Sequence, residues 1–248
     1  MRTVTAVAHR GDPYRARENT LDSLRSALRR GADAVEIDVR LTRDRVPVLL
    51  HDATLKRLWG HDRPLGSLSG DEVRGLTAGG VPTLAEALGA TGDSRVMVDL
   101  PGQVDVGVAR EVVDVVRACG AGERVYYCAG AGAMLAVRAA DPSAEIALTW
   151  TSLAPPRPGV LDAVKPRWLN YRFPLVDRDL AARVHRGGHL LSVWTPDTRR
   201  SMRRLLDAEV DSITTNRIDT LTALRGDRAE GRPTTSRLTR EGVDPAAP

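Results

Sequence analysis

Two acidic residues stand two positions apart in the stretch Ala34-Val35-Glu36-Ile37-Asp38-Val39. Side chains alternate between the two faces of a β-strand, so Glu36 and Asp38 share one face while branched apolar residues occupy the other. Two neighbouring carboxylates repel each other, which raises the pKa of at least one of them unless a cation lies between them. A hard divalent ion with oxygen ligands is the usual cation, so this spacing predicts the floor of a metal site.

Other residues capable of chemistry stand at or near the ends of further predicted strands. Histidine can transfer protons near neutral pH, arginine can bind a phosphate, and a third acid could complete a set of metal ligands. These residues are His9, Arg10, His51, Asp99, Trp194 and Asn216. A single strand-end residue is weak evidence of function, but together they predict one active site.

Strand and helix patterns alternate along the chain and would position these residues. We predict strands near residues 4, 35, 96, 126, 146, 169, 191 and 213, each followed by a helix or connection, and an extra strand over Val46–Leu50. Eight such units predict an α/β fold, a (β/α)8 TIM barrel with a short insertion after the second strand. In this fold the active site lies at the carboxyl ends of the strands, which is where the candidate residues stand.

The chain divides into one predicted domain and a tail. Residues 1–225 form the predicted barrel, within which Lys56–Gly80 is Gly-rich and charged and is interpreted as a surface insertion. Residues 226–248 have little apolar periodicity and are predicted to be a disordered C-terminal tail.

Composition indicates a globular protein and argues against a nucleic-acid-binding one. The 42% of hydrophobic residues is enough for a sizeable core, and the formal net charge of +4 is spread along the chain without a basic block. We therefore expect no nucleic-acid partner.

The next features concern the cellular compartment, membrane association and oligomeric state of the protein. Cys119 and Cys128 form neither a CxxC pair nor a disulfide framework. No stretch approaches the roughly 18 apolar residues of a membrane span, and Met1–Val4 lead straight into a strand. We expect a cytoplasmic enzyme without integral membrane association, and the sequence does not indicate its oligomeric state.

The motifs together resemble those of a known family. The first fifty residues contain His9-Arg10-Gly11, Glu18-Asn19-Thr20, Glu36-x-Asp38, Thr42-x-Asp44, Pro47-Val48 and His51-Asp52. Later matching segments are Val81-Pro82-Thr83-Leu84-Ala85-Glu86, Val193-Trp194-Thr195 and Ile213-Thr214-Thr215-Asn216. Over about residues 4–224, this set resembles the glycerophosphodiester phosphodiesterases.

The resemblance implies a metal-dependent barrel enzyme that hydrolyses a small-molecule glycerophosphodiester to glycerol 3-phosphate and an alcohol. It implies that Glu36, Asp38 and Asp99 hold a divalent metal cation, Mg²⁺ or Ca²⁺. It also implies that His9 and His51 are the acid and base pair, one activating water or the substrate hydroxyl and the other protonating the departing oxygen.

Two further residues are interpreted as substrate-binding by the same resemblance. Arg10 would make charge-assisted hydrogen bonds to the phosphate, and Trp194 would wall the glycerol or head-group pocket.

The chain also departs from the family pattern. Where the family carries Glu-x-Lys on the third strand, this chain has Asp99-Leu100-Pro101, so the carboxylate is shorter and the lysine is absent. Cys128-Ala129 replaces the usual Ser-Phe, which would widen that side of the pocket. Asn216 stands where Asp is also common, and we expect no catalytic role for it.

Two other functions stay open at this point. One is a lysophospholipase D-type activity on the same site, which would need an apolar groove for an acyl chain. The other is a catalytically impaired barrel that binds a phosphodiester without hydrolysing it. A nuclease is disfavoured because no basic stripe could follow a polymer backbone.

Overall fold

The computed structural model of the chain describes residues 4–229, with side chains to residue 226. Its strands, in chain order, are β1 Thr5–His9, β2 Ala34–Leu41, β3 Pro47–Leu49, β4 Arg95–Asp99, β5 Val125–Ala129, β6 Ile146–Trp150, β7 Trp168–Arg172, β8 Leu190–Trp194 and β9 Ser212–Thr215. All except β3 are parallel, and within the described residues these eight close into one ring. The predicted TIM barrel is therefore confirmed.

The ring closes because β1 pairs on both sides. Val7 of β1 lies opposite Ala34 of β2 and opposite Thr214 of β9. Around the ring the strands follow the order β1-β9-β8-β7-β6-β5-β4-β2. The extra strand β3 lies outside the ring and pairs antiparallel with the end of β2, with Val48 opposite Arg40.

Helices follow the strands and cover the outside of the ring. They are α1 Leu21–Arg29, α2 Lys56–Trp59, α3 Gly70–Leu76, α4 Leu84–Ala90, α5 Val106–Ala118, α6 Ala131–Ala140, α7 Pro158–Val164, α8 Arg178–Arg186, α9 Arg199–Asp207 and α10 Ile218–Ala229. Thr20 caps α1, since the Ser23 backbone N–H donates to Thr20 Oγ1 at 3.3 Å.

The alternation of side chains along β2 explains how the barrel holds polar groups in its interior. Val35, Ile37 and Val39 face outward and pack in the large apolar layer under the helices. The interior is closed below the polar residues by a second apolar cluster, whose members are Val7, Ala34, Met97, Tyr126, Cys128, Ala147 and Trp168. Glu36 and Asp38 continue the inward face above that cluster, as the strand period predicts.

The segment interpreted as a surface insertion is more ordered than its Gly-rich sequence indicates. It contains α2, α3 and a 3₁₀ turn over Leu65–Ser67. These elements bury a small apolar cluster of their own against β3 and the segments next to it, made of Val48, Leu50, Leu55, Leu65, Leu68, Val73 and Val81. The segment therefore packs as a compact cap beside the mouth of the barrel.

The predicted tail begins within the last helix. α10 runs to Ala229, past the predicted domain boundary at residue 225, and residues 230–248 lie outside the described residues. Among residues 4–229, no helix combines the length and the apolar content needed to cross a membrane.

Candidate active site

A cavity of about 200 Å³ opens at the carboxyl ends of the barrel strands. The seven residues to which the family resemblance gives site roles all line it, and Asn216 does not; the seven are His9, Arg10, Glu36, Asp38, His51, Asp99 and Trp194. The structure adds Met97, Cys128, Thr149, Asn170 and Thr214 to the walls. The strand ends thus bring the predicted residues together as the barrel fold requires.

The three acids form one cluster on two neighbouring strands. Asp38 of β2 lies directly opposite Asp99 of β4 in the strand register. Glu36, Asp38 and Asp99 each offer an oxygen, and these oxygens lie within 4.8 Å of one another. An all-oxygen donor set of this size fits a hard divalent cation, so the cluster could hold one.

The electrostatics of the cluster support that fit. Burial, followed by repulsion from Asp38 and Asp99, raises the pKa of Glu36 well above its usual value. Burial, followed by repulsion from Asp38, raises the pKa of Asp99 to about 7. Buried carboxylates of this kind ionise together only when additional positive charge is present, which a divalent cation would supply.

Arg10 contacts two of these acids. Its backbone N–H donates to Glu36 Oε2 at 2.9 Å, and its guanidinium Nε lies 3.0 Å from Asp38 Oδ2. Another guanidinium nitrogen donates to Glu18 Oε1 at 2.8 Å. Arg10 itself has φ 56°, so the turn after β1 bends sharply and aims its side chain back into the cavity.

Gly11 makes this turn possible. It has φ +86°, and an added Cβ would lie 2.4 Å from Ser23 Oγ and 2.6 Å from the Ser23 carbonyl carbon. A larger residue would therefore push β1 away from α1, so the His-Arg-Gly order is required by packing at this turn.

His9 is backed by an amide. Its Nδ1 lies 2.8 Å from Asn216 Oδ1, and Asn216 Nδ2 donates to Asp197 Oδ2 at 2.7 Å. The amide oxygen accepts, so the ring carries its proton on Nδ1 and turns Nε2 toward Glu36, whose Oε2 is 3.9 Å away. Burial and then the charge of Arg10 lower the pKa of His9.

His51 is backed by a carboxylate. Its Nδ1 lies 2.8 Å from Asp52 Oδ1, and Arg57 Nε from the insertion donates to Asp52 Oδ2 at 2.6 Å. Arg57 also donates to Glu18, the residue that holds Arg10. The hydrogen bond from Arg57 is the main reason that the pKa of Asp52 falls to about 2.

Trp194 ends β8, across the barrel mouth from β4 and β5. The guanidinium of Arg172 lies 5.7 Å from the centre of its ring. Its indole Nε1 is buried without a hydrogen-bond partner among the described residues. The residue lines the predicted cavity, and its role in binding substrate stays a prediction.

Several contacts were missed from the sequence. Asn216 holds His9, a positioning contact that the expectation of no catalytic role did not include, and Asn19 Nδ2 donates to Asp38 Oδ2 at 2.7 Å. Cys128 contacts Thr149 Oγ1 and Asn170 Nδ2, each at 3.1 Å, in the interior. A polar residue at an inward position of an otherwise apolar strand was the available signal for Thr149 and Asn170.

The sequence comparisons identify the family of the chain. Residues 9–220 match the model of the glycerophosphoryl diester phosphodiesterase family. The probable glycerophosphodiester phosphodiesterase 2 of Mycobacterium tuberculosis is 30% identical over 241 residues, covering 87% of this chain and 88% of that protein.

Solved structures share the fold. A glycerophosphodiester phosphodiesterase from Thermotoga maritima has a TM-score of 0.75 at 21% identity, covering 89% of this chain and 98% of that one. A phosphodiesterase from Oleispira antarctica, solved with the product sn-glycerol-3-phosphate, has a TM-score of 0.78 at 20% identity, covering 88% and 95%. Because the family model spans most of the sequence, this chain belongs to the glycerophosphoryl diester phosphodiesterase family.

Proposed function

We propose that this enzyme hydrolyses glycerophosphodiesters to glycerol 3-phosphate and an alcohol, using a divalent metal and two histidines. The single observation that carries the proposal is the shared cavity, which contains both imidazoles, three clustered carboxylates and one arginine. The product bound to the Oleispira antarctica phosphodiesterase supports the same substrate class.

In this proposal Glu36, Asp38 and Asp99 hold Mg²⁺ or Ca²⁺. When bound, such an ion would neutralise phosphoryl oxygen charge and strengthen the electrophilic phosphorus. Arg10 would donate to another phosphoryl oxygen, since its side chain is held within the cavity by Glu18 and Asp38.

His9 is proposed as the general base. Its proton is held on Nδ1 by Asn216, and its lowered pKa keeps Nε2 unprotonated near neutral pH. Nε2 would accept the proton of the attacking oxygen, either from water or from the substrate's own 2-hydroxyl.

His51 is proposed as the general acid. Asp52 remains ionised above about pH 2, and an anionic partner at Nδ1 is complementary to a protonated ring. The His51 side chain is 41% exposed, against 19% for His9, which suits an acid on the side where the alcohol departs. Nε2 would give its proton to the leaving oxygen.

The direct test measures release of glycerol 3-phosphate from glycerophosphodiesters. We expect His9→Ala and His51→Ala each to lower kcat by at least about 100-fold, because each removes one proton transfer. His189→Ala is the matched control, since His189 contacts the Pro166 carbonyl outside the cavity and should leave kcat unchanged. Wild-type rates from either cavity variant would contradict the mechanism.

Two companion measurements distinguish the alternative functions from this hydrolysis. Release of choline from lysophosphatidylcholine, at rates above those for glycerophosphodiesters, would indicate the lysophospholipase D-type activity. Binding of a glycerophosphodiester without turnover in saturating Mg²⁺ or Ca²⁺ would indicate an impaired barrel. The cytoplasmic location stays a prediction, which cell fractionation tests.

A further inference from the structure

A second depression adjoins the cavity at the mouth of the barrel. It encloses about 560 Å³ between the segment after β4 and the start of α6. Its walls are Leu100–Val104 on one side and Ala129–Ala133 on the other. Asp99 and Thr149 line both this groove and the cavity, so the two spaces are neighbours. We call it the β4–β5 groove.

The groove walls lack the aromatic faces that typically bind a quaternary ammonium head group. Asp99 is the sole ionisable residue among the described residues that line it, and none of them is aromatic. Quaternary ammonium groups are recognised chiefly by aromatic faces, which attract cations through the ring quadrupole. Asp99 is engaged in the acid cluster instead.

Arg40 lies behind the groove wall at Gly102 and also contacts the backbone of His51. It shares the inward face of β2 with Glu36 and Asp38, and its Nε donates to the His51 carbonyl oxygen at 2.8 Å. Its guanidinium lies over Gly102 of the groove, where an added Cβ would come within 3.2 Å of Nη1. Among the described side chains, neither Nη1 nor Nη2 of Arg40 donates a hydrogen bond. Both nitrogens can therefore donate to a ligand.

Trp194 is the one Trp, Tyr or Phe side chain among the described residues that line the catalytic cavity, and it does not offer a free face to a cation. Trp194 lies across the ring from β4 and β5, and the Arg172 guanidinium is already 5.7 Å from its ring centre. A cationic head group beside Trp194 would approach that arginine, and one in the groove would approach Arg40. At each position the nearby arginine acts against a fixed positive charge, and at Arg40 the acids Asp38, Asp52 and Asp99 offset part of that effect.

We propose that the β4–β5 groove binds the departing alcohol and that Arg40 makes the enzyme prefer uncharged or anionic polyol head groups over quaternary ammonium head groups. The proposal rests on the proposed hydrolysis and adds its substrate class. The guanidinium donates to hydroxyl or anionic oxygens and repels a fixed positive charge. Its place beside His51 puts the alcohol next to the proposed acid.

The first test compares glycerophosphoinositol with glycerophosphocholine as substrates. We expect wild-type kcat/KM to be at least about tenfold higher for the inositol substrate, the effect of one hydrogen bond to a charged donor. Arg40→Gln should lower the inositol value by about tenfold or more and bring the two values within about threefold. Arg110→Gln removes the same charge from the exposed face of α5 and should preserve the preference.

The second test narrows the groove. Ala133→Trp places a large side chain in the groove wall and should lower kcat/KM for glycerophosphoinositol by at least about tenfold, since overfilling a site excludes a bulky ligand. Leu135→Trp adds the same ring to an exposed position on the same helix and should leave kcat/KM unchanged.

The inhibition constant of glycerol 3-phosphate distinguishes direct recognition of the alcohol by Arg40 from a purely structural role of Arg40. If Arg40 reads the alcohol, Arg40→Gln keeps the inhibition constant within about twofold of wild type while the preference is lost. Equal loss of both substrates together with product binding would show that Arg40 only holds His51, and would overturn the proposal. So would a wild-type preference for choline or an unaffected Ala133→Trp. If neither substrate releases glycerol 3-phosphate, the proposed function itself fails.

Discussion

At the scale of single residues, the two histidines of the cavity differ mainly in their partners. His9 has an amide at Nδ1, whereas His51 has a carboxylate that is itself held by Arg57. A neutral partner fixes the tautomer of a ring, and an anionic partner additionally matches a protonated ring. Two residues of one type can therefore serve as base and acid in one cavity.

Asp52 should be essential for activity although it lies outside the cavity. Asp52→Ala removes the group that orients His51, so we expect kcat to fall by about 100-fold or more. Asp62→Ala is the matched control, because Asp62 is an exposed acid in the neighbouring insertion and pairs with Lys56. A steady-state comparison in which both variants lose activity equally would assign the loss to the insertion and not to His51.

Asp99 should link stability to pH in the protein without metal. Its folded-state pKa of about 7 lies above that of an unfolded aspartate, so the folded state retains a proton that the unfolded state has lost. The free energy of unfolding therefore decreases as pH rises from about 4 to 7, by up to about 4 kcal/mol. Asp99→Asn should remove the share of this decrease that Asp99 contributes, leaving that of Glu36, and should be more stable than wild type at pH 8.

Thermal unfolding in chelator at pH 5 and pH 8 measures this effect. Asp93→Asn, at an exposed position just before β4, should retain the wild-type pH dependence. Added Mg²⁺ or Ca²⁺ should stabilise wild type but not Asp99→Asn. If the two variants unfold alike at both pH values, the pKa of Asp99 is not raised in the folded protein.

At the scale of elements, strand ends and their first turns position the site. β1 ends at His9 and the chain then turns at Arg10 and Gly11. This turn lets the backbone N–H of Arg10 donate to Glu36. Neighbouring β2 and β4 place their acids side by side because their registers match. The site is thus specified by where strands stop as much as by the residues in them.

Gly11→Ala should disrupt the first turn more than an equivalent change elsewhere. Gly31 also has a positive φ, of +84°, but its nearest neighbour to an added Cβ is 3.7 Å away. Gly31→Ala should therefore cost only backbone strain, about 1–2 kcal/mol. Gly11→Ala adds a clash with the Ser23 backbone and should cost about 3 kcal/mol or more. Equal unfolding free energies of the two variants would contradict this packing.

Much of the site follows from local sequence, and the remainder does not. The period of β2 predicted that Glu36 and Asp38 share a face, and the strand ends predicted which residues meet. The Asp197–Asn216–His9 chain was not predicted, because it joins loops after β8 and β9 to β1, which become neighbours only when the ring closes. The order of the insertion was also missed, because its apolar residues are spaced among glycines and charges without a clear period.

At the scale of the whole molecule, the barrel separates stability from chemistry. The lower interior is filled by apolar side chains, including the stacked rings of Tyr126 and Trp168 at 6.1 Å. The upper interior holds the acids and the imidazoles, and the β4–β5 groove adjoins it. Closure of the ring is what brings β1, β2 and β4 to one opening, so a single cavity contains the acid cluster and both histidines.

The most direct measurement of the central claim is glycerol 3-phosphate release by protein stripped of metal and then titrated with Mg²⁺ or Ca²⁺. We predict no release in chelator and saturable recovery with one ion per chain, lost in Asp38→Asn. Full activity in chelator, or recovery that is unchanged in Asp38→Asn, would contradict a reaction that depends on the cluster of Glu36, Asp38 and Asp99.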